Sequence, residues 1–241
     1  MNNKIKVIVP FYNPGIFLDR CVNSLLTQDY DNYEILFIDD SSTDGSFSKI
    51  PSIKYKGDEN GDFIKDENGE YVIESKHPLL DKTKCQNILA WRSSERMSAL
   101  PNLHNGIMNF ATEPDDIVVI VDGDDWLFNK KVLSYINDFY NKNEECWMMY
   151  GSSKWTNNMK CCAREYTEED FKDLRKSAFK ISHIRTFRAG LYTKIAEQDE
   201  NYSSMKDSEG KWYQMTYDVA MFTPMLEMAG KSHVFYNETP L

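Results

Sequence analysis

One stretch decides the fold class of this sequence: Ile-Val-Val-Ile-Val at 117–121, followed directly by Asp-Gly-Asp-Asp at 122–125. All five apolar residues are β-branched, and such a run predicts a strand that is buried on both faces. Strands of this kind occur in parallel sheets that are covered by helices on both sides. The sequence therefore predicts an α/β protein in which three carboxylates directly follow a buried strand.

The N-terminal residues repeat this pattern of a strand that ends in polar residues. A β-branched run at 4–12 leads into the turn Asn13-Pro14-Gly15, and a second predicted strand at 33–38 ends in Asp39-Asp40-Ser41-Ser42. Between them, apolar residues recur three and four positions apart from 17 to 26, which predicts an amphipathic helix. A strand, a helix and a strand in this order predict a βαβ unit with parallel strands.

The rest of the chain extends the same alternation. Periodicity predicts helices at 96–111 and 129–140, a strand at 146–150, helical structure from 165 with a capping box at 167–170, and a buried helix at 217–229 closed by Gly230. Asp-Glu-Asn-Gly occurs twice within 54–76, which predicts a β-hairpin insertion. We expect one domain over 1–241 with a Rossmann-like, mostly parallel sheet flanked by helices.

Composition restricts the classes of partner. The 241 residues carry 28 basic and 38 acidic side chains, a formal charge of −10, which argues against general nucleic-acid binding. No apolar run approaches the roughly 20 residues needed to cross a bilayer, so no membrane span is expected. The five cysteines form no Cys-x-x-Cys pair and no secretory signal is recognisable, which together predict a cytoplasmic protein with reduced thiols.

Three predicted strands end in polar residues: Pro10 to Asn13, Asp39 to Ser42, and Asp122 to Asp125. The carboxyl ends of parallel strands meet at one edge of a sheet, where ligands bind at the topological switch point. Carboxylates gathered there repel each other unless a cation compensates, and oxygen ligands suit Mg²⁺ or Mn²⁺. Gly123 leaves room for a ligand to approach the backbone. A solvated turn with aspartate helix caps is the alternative interpretation of Asp122 to Asp125.

The same stretches resemble a known family. Lys-Val-Ile-Val-Pro-Phe-Tyr-Asn at 6–13, Ile-Leu-Phe-Ile-Asp-Asp-Ser-Ser-Thr-Asp-Gly at 35–45 and the residues at 117–126 are similar to the family 2 glycosyltransferases of the GT-A fold. This resemblance implies an inverting, Mn²⁺- or Mg²⁺-dependent transfer of a sugar from a nucleotide-diphosphate sugar, typically uridine-linked. The acceptor is implied to be a glycan or another compound that bears a hydroxyl group.

The resemblance also implies roles for individual residues. The nucleotide-sugar contacts fall on Pro10, Tyr12, Asn13, Asp39 or Asp40, Arg96, Asn102, Asp122 and Gly123. The metal ligands fall on Asp122 and Asp124, with Asp125 as a helix cap, and the general base falls on Asp218. The nucleotide sugar is expected in the half at 1–125 and the acceptor in the half at 126–241.

Further residues are candidates for the second half of the site. Arg185 is expected near the diphosphate or an anionic acceptor, and His183 either joins it or packs in the core. The polar loop at 198–211 is expected to be exposed and to form a lid that presents Trp212 to an acceptor sugar. His233 is a candidate third metal ligand.

Two other classes of protein share part of the pattern. A haloacid-dehalogenase-like phosphatase has a similar strand and Asp-x-Asp, but Trp126 stands where that family has Thr or Val. A nucleotidyltransferase is chemically closer, but the glycine-rich Arg-Lys phosphate loop expected near the N-terminus is missing from the sequence. A non-catalytic nucleotide-sugar-binding domain is the third alternative.

Overall fold

A seven-stranded sheet forms the centre of the fold in this computed structural model, which describes residues 2–51, 53–55, 73–154 and 163–241. The strands are, in chain order, β1 (Ile5–Phe11), β2 (Tyr33–Asp39), β3 (Ile53–Tyr55), β4 (Ile73–Lys76), β5 (Asn87–Arg92), β6 (Ile117–Ile120), β7 (Met148–Ser152), β8 (Arg185–Arg188) and β9 (Val234–Pro240). The large sheet has the order β5-β2-β1-β6-β8-β7-β9. Strands β3 and β4 form a separate antiparallel pair.

The sheet is parallel where the sequence predicts it. β1 pairs in parallel with β2 and β6, and β2 pairs in parallel with β5. Strand β8 runs antiparallel to both β6 and β7, and β7 pairs in parallel with β9. The prediction of a mostly parallel α/β sheet is therefore confirmed. Burial of β1, β2 and β6 between two helical layers explains why these strands are mostly apolar.

Helices cover both faces of this sheet. They are α1 (Phe17–Leu26), α2 (Ala99–Phe110), α3 (Val132–Lys142), α4 (Glu168–Lys172), α5 (Ala189–Thr193), α6 (Ile195–Gln198) and α7 (Tyr217–Ala229). Alternate residues of β6 belong to two apolar cores: one core contains side chains of α1 and α3, and the other contains side chains of α2, α5 and α7. Within the described ranges, these helices are too short or too polar to span a bilayer.

The strongest local signals are confirmed and several weaker ones are wrong. Helix α7 and its terminal Gly230 lie where the sequence places them, and the capping box at Thr167 is formed. The helical structure predicted from 165 is confined to short α4, α5 and α6, with β8 between α4 and α5. Strands β5, β8 and β9 were not predicted, because β5 is an exposed edge strand and β8 begins and ends with arginine.

Two predicted loops differ from the expectation in part. The hairpin insertion predicted at 54–76 is represented by the β3–β4 pair, and residues 56–72 lie outside the described part of the chain. The loop predicted at 198–211 is anchored, since Tyr202 is 7% exposed and Met205 is fully buried. The prediction that this loop is wholly exposed is therefore wrong at those two side chains.

Candidate functional site

A cleft of about 370 Å³ lies beyond the carboxyl ends of β1, β2 and β6. The chain moves from β1 to β2 on one side and returns to β6 on the other, so the cleft lies at a topological switch point. Its walls are formed by Pro10, Phe11, Tyr12, Asn13, Pro14, Phe17, Asp40, Ala99, Asn102, Asp122, Gly123, Asp124 and Tyr217. We call this the donor cleft. It brings together most of the residues that the sequence assigns to nucleotide-sugar binding.

Asp39 and Asp40 follow each other at the end of β2 but have different surroundings. Asp39 is fully buried, and its Oδ2 lies 3.2 Å from Nε of Arg92. The Asp40 carboxylate lines the donor cleft and accepts hydrogen bonds from the backbone N–H of Met97 (2.7 Å) and from Nδ2 of Asn102 (2.8 Å). Of the two residues, Asp40 is therefore the one that borders the donor cleft. Its bond to Met97 lies just ahead of α2, which begins three residues later than predicted.

Four non-glycine residues beside the donor cleft have left-handed backbone. Their φ angles are 48° for Asn13, 65° for Ser41, 77° for Ser98 and 55° for Thr216. Ser98 and Thr216 directly precede α2 and α7. A non-glycine residue in this region costs about 1–3 kcal/mol, and such strain concentrates at functional sites.

Gly123 is required by a close approach of two chain segments. Its N–H donates to the carbonyl oxygen of Pro10 (3.0 Å), and a Cβ at this position would meet the Cβ of Phe11 at 2.4 Å. The sequence interpretation gives this glycine a role in ligand access. The structure adds a packing role, because β1 and the acidic turn could not approach each other with a larger residue.

We expect Gly123→Ala to lower the free energy of unfolding by about 1–3 kcal/mol, since it overpacks a contact with little freedom to relax. Urea denaturation measures this loss. The matched control is Gly151→Ala, where a Cβ would meet its nearest atom at an ordinary 3.5 Å. Equal stabilities of the two variants would contradict the packing role.

Asp122, Asp125 and His183 form a cluster in which one ligand atom of each residue lies within 4.8 Å of the others. His183 Nδ1 is 2.6 Å from Asp125 Oδ2, and His183 Nε2 is 3.5 Å from Asp122 Oδ2. The prediction that Asp125 is a helix cap is wrong, because α3 begins only at Val132. Asp124, which the sequence assigns to the metal, lines the donor cleft and is not one of the three clustered residues.

Arg185 joins this cluster from β8 and is only 5% exposed. Its Nη1 donates to the Tyr217 hydroxyl (2.8 Å), which donates to Asp122 Oδ1 (2.9 Å). Its Nη2 donates to His183 Nε2 (2.8 Å). Because arginine only donates, His183 accepts on Nε2 and carries its proton on Nδ1, facing Asp125. We call these five residues the Arg185 network.

The pKa values in the site reflect this crowding of charge. Desolvation in the donor cleft raises the pKa of the Asp124 carboxyl, and the neighbouring Asp125 and Asp122 raise it further. Burial alone would lower the pKa of Arg185, but Tyr217 and Asp122 outweigh it and raise that pKa. Burial, and then the Asp122 charge, raise the pKa of Tyr217, so its hydroxyl stays protonated and able to donate.

Asp218 stands in the first turn of α7 and its side chain is 29% exposed. Its Oδ2 lies 3.9 Å from Nη2 of Arg185, and its Oδ1 accepts from the N–H of Val219 (2.9 Å). The surroundings of this carboxylate are therefore polar and charged. A partly exposed carboxylate next to a cleft can accept a proton from a bound molecule.

The remaining candidates lie outside the walls of the donor cleft. Arg96 lies over the ring of Tyr12 at 4.1 Å and is an exposed residue at the rim. Trp212 packs against His104 with ring centroids 4.7 Å apart. His233 stacks on Trp147 and is not one of the three clustered residues. The idea that His233 completes the metal site therefore has no support in this geometry.

The cluster fits a divalent cation by its donor set. Two aspartates and one neutral imidazole lie close together, and a third carboxylate, Asp124, lies beside them with a raised pKa. Carboxylates suit Mn²⁺ and Mg²⁺. His183 would add a nitrogen ligand, which favours Mn²⁺, if the ion took the place of the Nδ1 proton that faces Asp125. Sequence reasoning missed Asp125 as a member, although its place in Asp-Gly-Asp-Asp offered a signal.

Comparisons with known proteins found both similar sequences and similar folds. The sequence profile described as glycosyl transferase family 2 matches residues 6–71. The glycosyltransferase GlyA of Streptococcus pneumoniae is 28% identical over 162 residues, which is 62% of this chain and 19% of that protein. The chain thus spans about one fifth of the length of this curated relative.

Two solved structures share the fold. The structure of S. aureus TarS covers 98% of this chain and 37% of its own, with a TM-score of 0.58 and 17% identity; TarS has also been solved with UDP-GlcNAc and with UDP. The mannosyltransferase PcManGT of Pyrobaculum calidifontis, in complex with GDP-Man and Mn²⁺, covers all of this chain and 55% of its own, with a TM-score of 0.57 and 14% identity. The profile match over residues 6–71, the curated relative and the shared fold together support a family 2 glycosyltransferase with the GT-A fold.

Proposed function

We propose that this chain transfers a sugar from a uridine-diphosphate sugar to an acceptor hydroxyl with inversion at the anomeric carbon. The observation that carries the proposal is the donor cleft, where Asp40, Asn102 and the acidic turn converge beside the Arg185 network. TarS, which shares the fold, has been solved with UDP-GlcNAc and UDP. In this proposal the half at 1–125 binds the donor and the half at 126–241 binds the acceptor.

The donor is held from its nucleoside to its phosphates along the cleft. The Asp40 carboxylate, which borders the cleft, accepts from the base, and the exposed ring of Tyr12 packs against the nucleoside. Asp122 and Gly123 contact the donor at its ribose, next to the diphosphate. Asp122 and Asp125, with Asp124 and His183, would hold Mn²⁺, which would supply positive charge to stabilise the departing nucleoside diphosphate.

Asp218 is the proposed general base. It removes the proton from the acceptor hydroxyl as that oxygen forms a bond to the anomeric carbon. Attack from the face opposite the diphosphate inverts the configuration at that carbon. Arg185, 3.9 Å from Asp218 and 3.7 Å from Asp122, places one buried positive charge between the proposed base and the proposed metal ligand.

A cytoplasmic location is part of the same proposal. Cys21 and Cys146 are free and buried, and Cys85 is free and half-buried. Free thiols suit a reducing compartment. Cys161 and Cys162 lie outside the described residues.

A panel of donors tests the proposed function. The Tm is measured with UDP-GlcNAc, UDP-glucose or GDP-mannose, each at about 100 times its Kd. Each donor is tested once in the presence of Mn²⁺ and once in the presence of EDTA. A ligand bound at that level stabilises the protein by about 2.7 kcal/mol, which for a chain of this size raises Tm by about 5–10 °C. We expect this rise for uridine-linked donors with Mn²⁺ and a much smaller one with EDTA. An unchanged Tm with every donor would contradict the proposal.

A further inference from the structure

The hydroxyl group of Tyr217 lies between the buried guanidinium of Arg185 and the carboxylate of Asp122. Nη1 of Arg185 donates to this hydroxyl at 2.8 Å, and the hydroxyl lies 2.9 Å from Oδ1 and 3.2 Å from Oδ2 of Asp122. The guanidinium itself is 3.7 Å from Asp122 Oδ2, which is too far for a direct hydrogen bond. The tyrosine oxygen therefore separates two opposite charges that are otherwise close enough to pair.

The chemistry of the three groups fixes the direction of these hydrogen bonds. Arginine can only donate, so the Tyr217 oxygen accepts from Nη1 and its single proton goes to Asp122. An ionised carboxylate has about four acceptor positions. A neutral hydroxyl that supplies one proton leaves most of these positions, and the full negative charge of Asp122, available to another partner.

A direct pair of arginine and aspartate would use the carboxylate differently. Guanidinium and carboxylate groups often form two parallel hydrogen bonds, as Arg175 and Glu227 do in this chain at 2.7 and 2.8 Å. A pair of that kind engages both carboxylate oxygens and balances their charge. Asp122 paired in this way with Arg185 would be a poor ligand for a divalent cation, because the ion would have to compete with a bound positive charge.

The fold holds the Tyr217 hydroxyl in this position. Tyr217 is the first residue of α7, and Thr216 before it has left-handed backbone. The Tyr217 side chain forms part of the wall of the donor cleft. Cζ of Arg185 lies 5.6 Å from the centroid of the Tyr217 ring and 5.8 Å from that of Phe222, which is fully buried. The guanidinium is therefore held by two rings as well as by its hydrogen bonds.

We propose that Tyr217 is a positioning residue: its hydroxyl holds the Asp122 carboxylate in place and keeps Arg185 from pairing with it directly, so that Asp122 stays available to a divalent cation. The inference rests on the proposed function, because it concerns the metal site of that reaction. It assigns a task to the Tyr217 oxygen alone. The ring of Tyr217 has the separate task of forming the wall of the donor cleft.

Tyr217→Phe removes this oxygen and keeps the ring. The Kd of Mn²⁺ is read from the EPR signal of the free ion with UDP present, after subtraction of a sample without protein. Loss of a group that orients a metal ligand usually weakens metal affinity 10–100-fold, and we expect a rise in Kd of about that size. At saturating Mn²⁺, kcat should return to near the wild-type value. Tyr213→Phe is the matched control, since Tyr213 is 41% exposed and is not among the residues that line the donor cleft.

A double variant separates this role from a merely structural one. If Mn²⁺ binds weakly in Tyr217→Phe because Arg185 then pairs with Asp122, adding Arg185→Gln should restore most of the affinity, since it removes the competing charge. A general distortion of the site would not be reversed by a second substitution in the same network.

The outcomes for the inference and for the proposed function are distinct. A wild-type Kd of Mn²⁺ in Tyr217→Phe, or a loss of affinity that Arg185→Gln does not reverse, would overturn the inference. If uridine-linked donors still raise Tm in the wild type, the proposed function would remain intact in both cases. Failure of the wild type to bind Mn²⁺, together with an unchanged Tm with every donor, would overturn both.

Discussion

Asp218→Asn is expected to lower kcat by about 10²–10⁴-fold, the usual contribution of a general base, while the donor still binds. Asparagine keeps the size of the side chain and an oxygen that accepts from Val219, but it cannot take a proton from the acceptor. Arg185 retains Asp122 at 3.7 Å, so the Arg185 network should persist. The measurement pairs steady-state rates with the donor-induced rise in Tm.

A comparison of kcat with donor binding distinguishes a base from a merely structural carboxylate. Loss of a base lowers kcat in Asp218→Asn and leaves the donor-induced rise in Tm unchanged. Asp138→Asn is the matched control, because Asp138 is an exposed aspartate of α3 that bonds to the amide of Asn137. A turnover near the wild-type value in Asp218→Asn would remove this residue from the role of base.

The sequence predicts the parts of the fold that are governed by local burial. β1, β2 and β6 are mostly apolar because helices cover both faces of the sheet, and the side chains on their two faces belong to the two apolar cores. The end of α7 can be predicted from the sequence because Gly230 adopts the positive φ, 69°, that ends a helix. These signals lie within a few residues of each other, so they need no knowledge of the tertiary structure.

The Arg185 network could not be predicted from the sequence, because it depends on the pairing of β8 with β6, which the sequence does not predict. β8 pairs antiparallel with β6, and Ile120 lies opposite Arg185. Continuing that register for two residues places His183 opposite Asp122. The strand itself reads Arg-Thr-Phe-Arg, whose polar residues give no apolar signal, since Arg185 is buried by its partners and not by its own hydrophobicity.

The geometry of the acidic turn at 122–125 could not be predicted from the sequence either. The family resemblance assigns the metal to Asp122 and Asp124. The turn after β6 instead brings Asp125 to His183, and the backbone N–H of Asp125 donates to the carbonyl oxygen of Asp122. That tight turn places Asp122 and Asp125 in one cluster and leaves Asp124 facing the donor cleft.

Asp122→Asn is expected to have the second large effect, and it should act on metal binding and on stability together. Loss of this charge removes one proposed ligand, and we expect Mn²⁺-dependent turnover to fall by at least about 100-fold. It also leaves the guanidinium of Arg185, which is 5% exposed, with Asp218 as its nearest remaining carboxylate. The two groups form an ion pair at 3.7 Å without a direct hydrogen bond, and we expect loss of this charge to lower the free energy of unfolding by about 1–3 kcal/mol.

Two titrations separate these effects. Urea denaturation in EDTA reports the loss that stems from Arg185, since no ion is then present, and Mn²⁺ titration of the donor-induced rise in Tm reports ligation. Asp115→Asn is the matched control, because Asp115 is 95% exposed and its partner Arg188 lies 3.8 Å away, so its stability should stay within about 0.5 kcal/mol of the wild type. Wild-type stability in EDTA would show that Asp122 does not balance Arg185, and an unchanged Mn²⁺ titration would place the ion on other residues. Because the Tyr217 hydroxyl can still donate to the remaining oxygen of asparagine, either loss must come from the missing charge and not from a broken hydrogen bond.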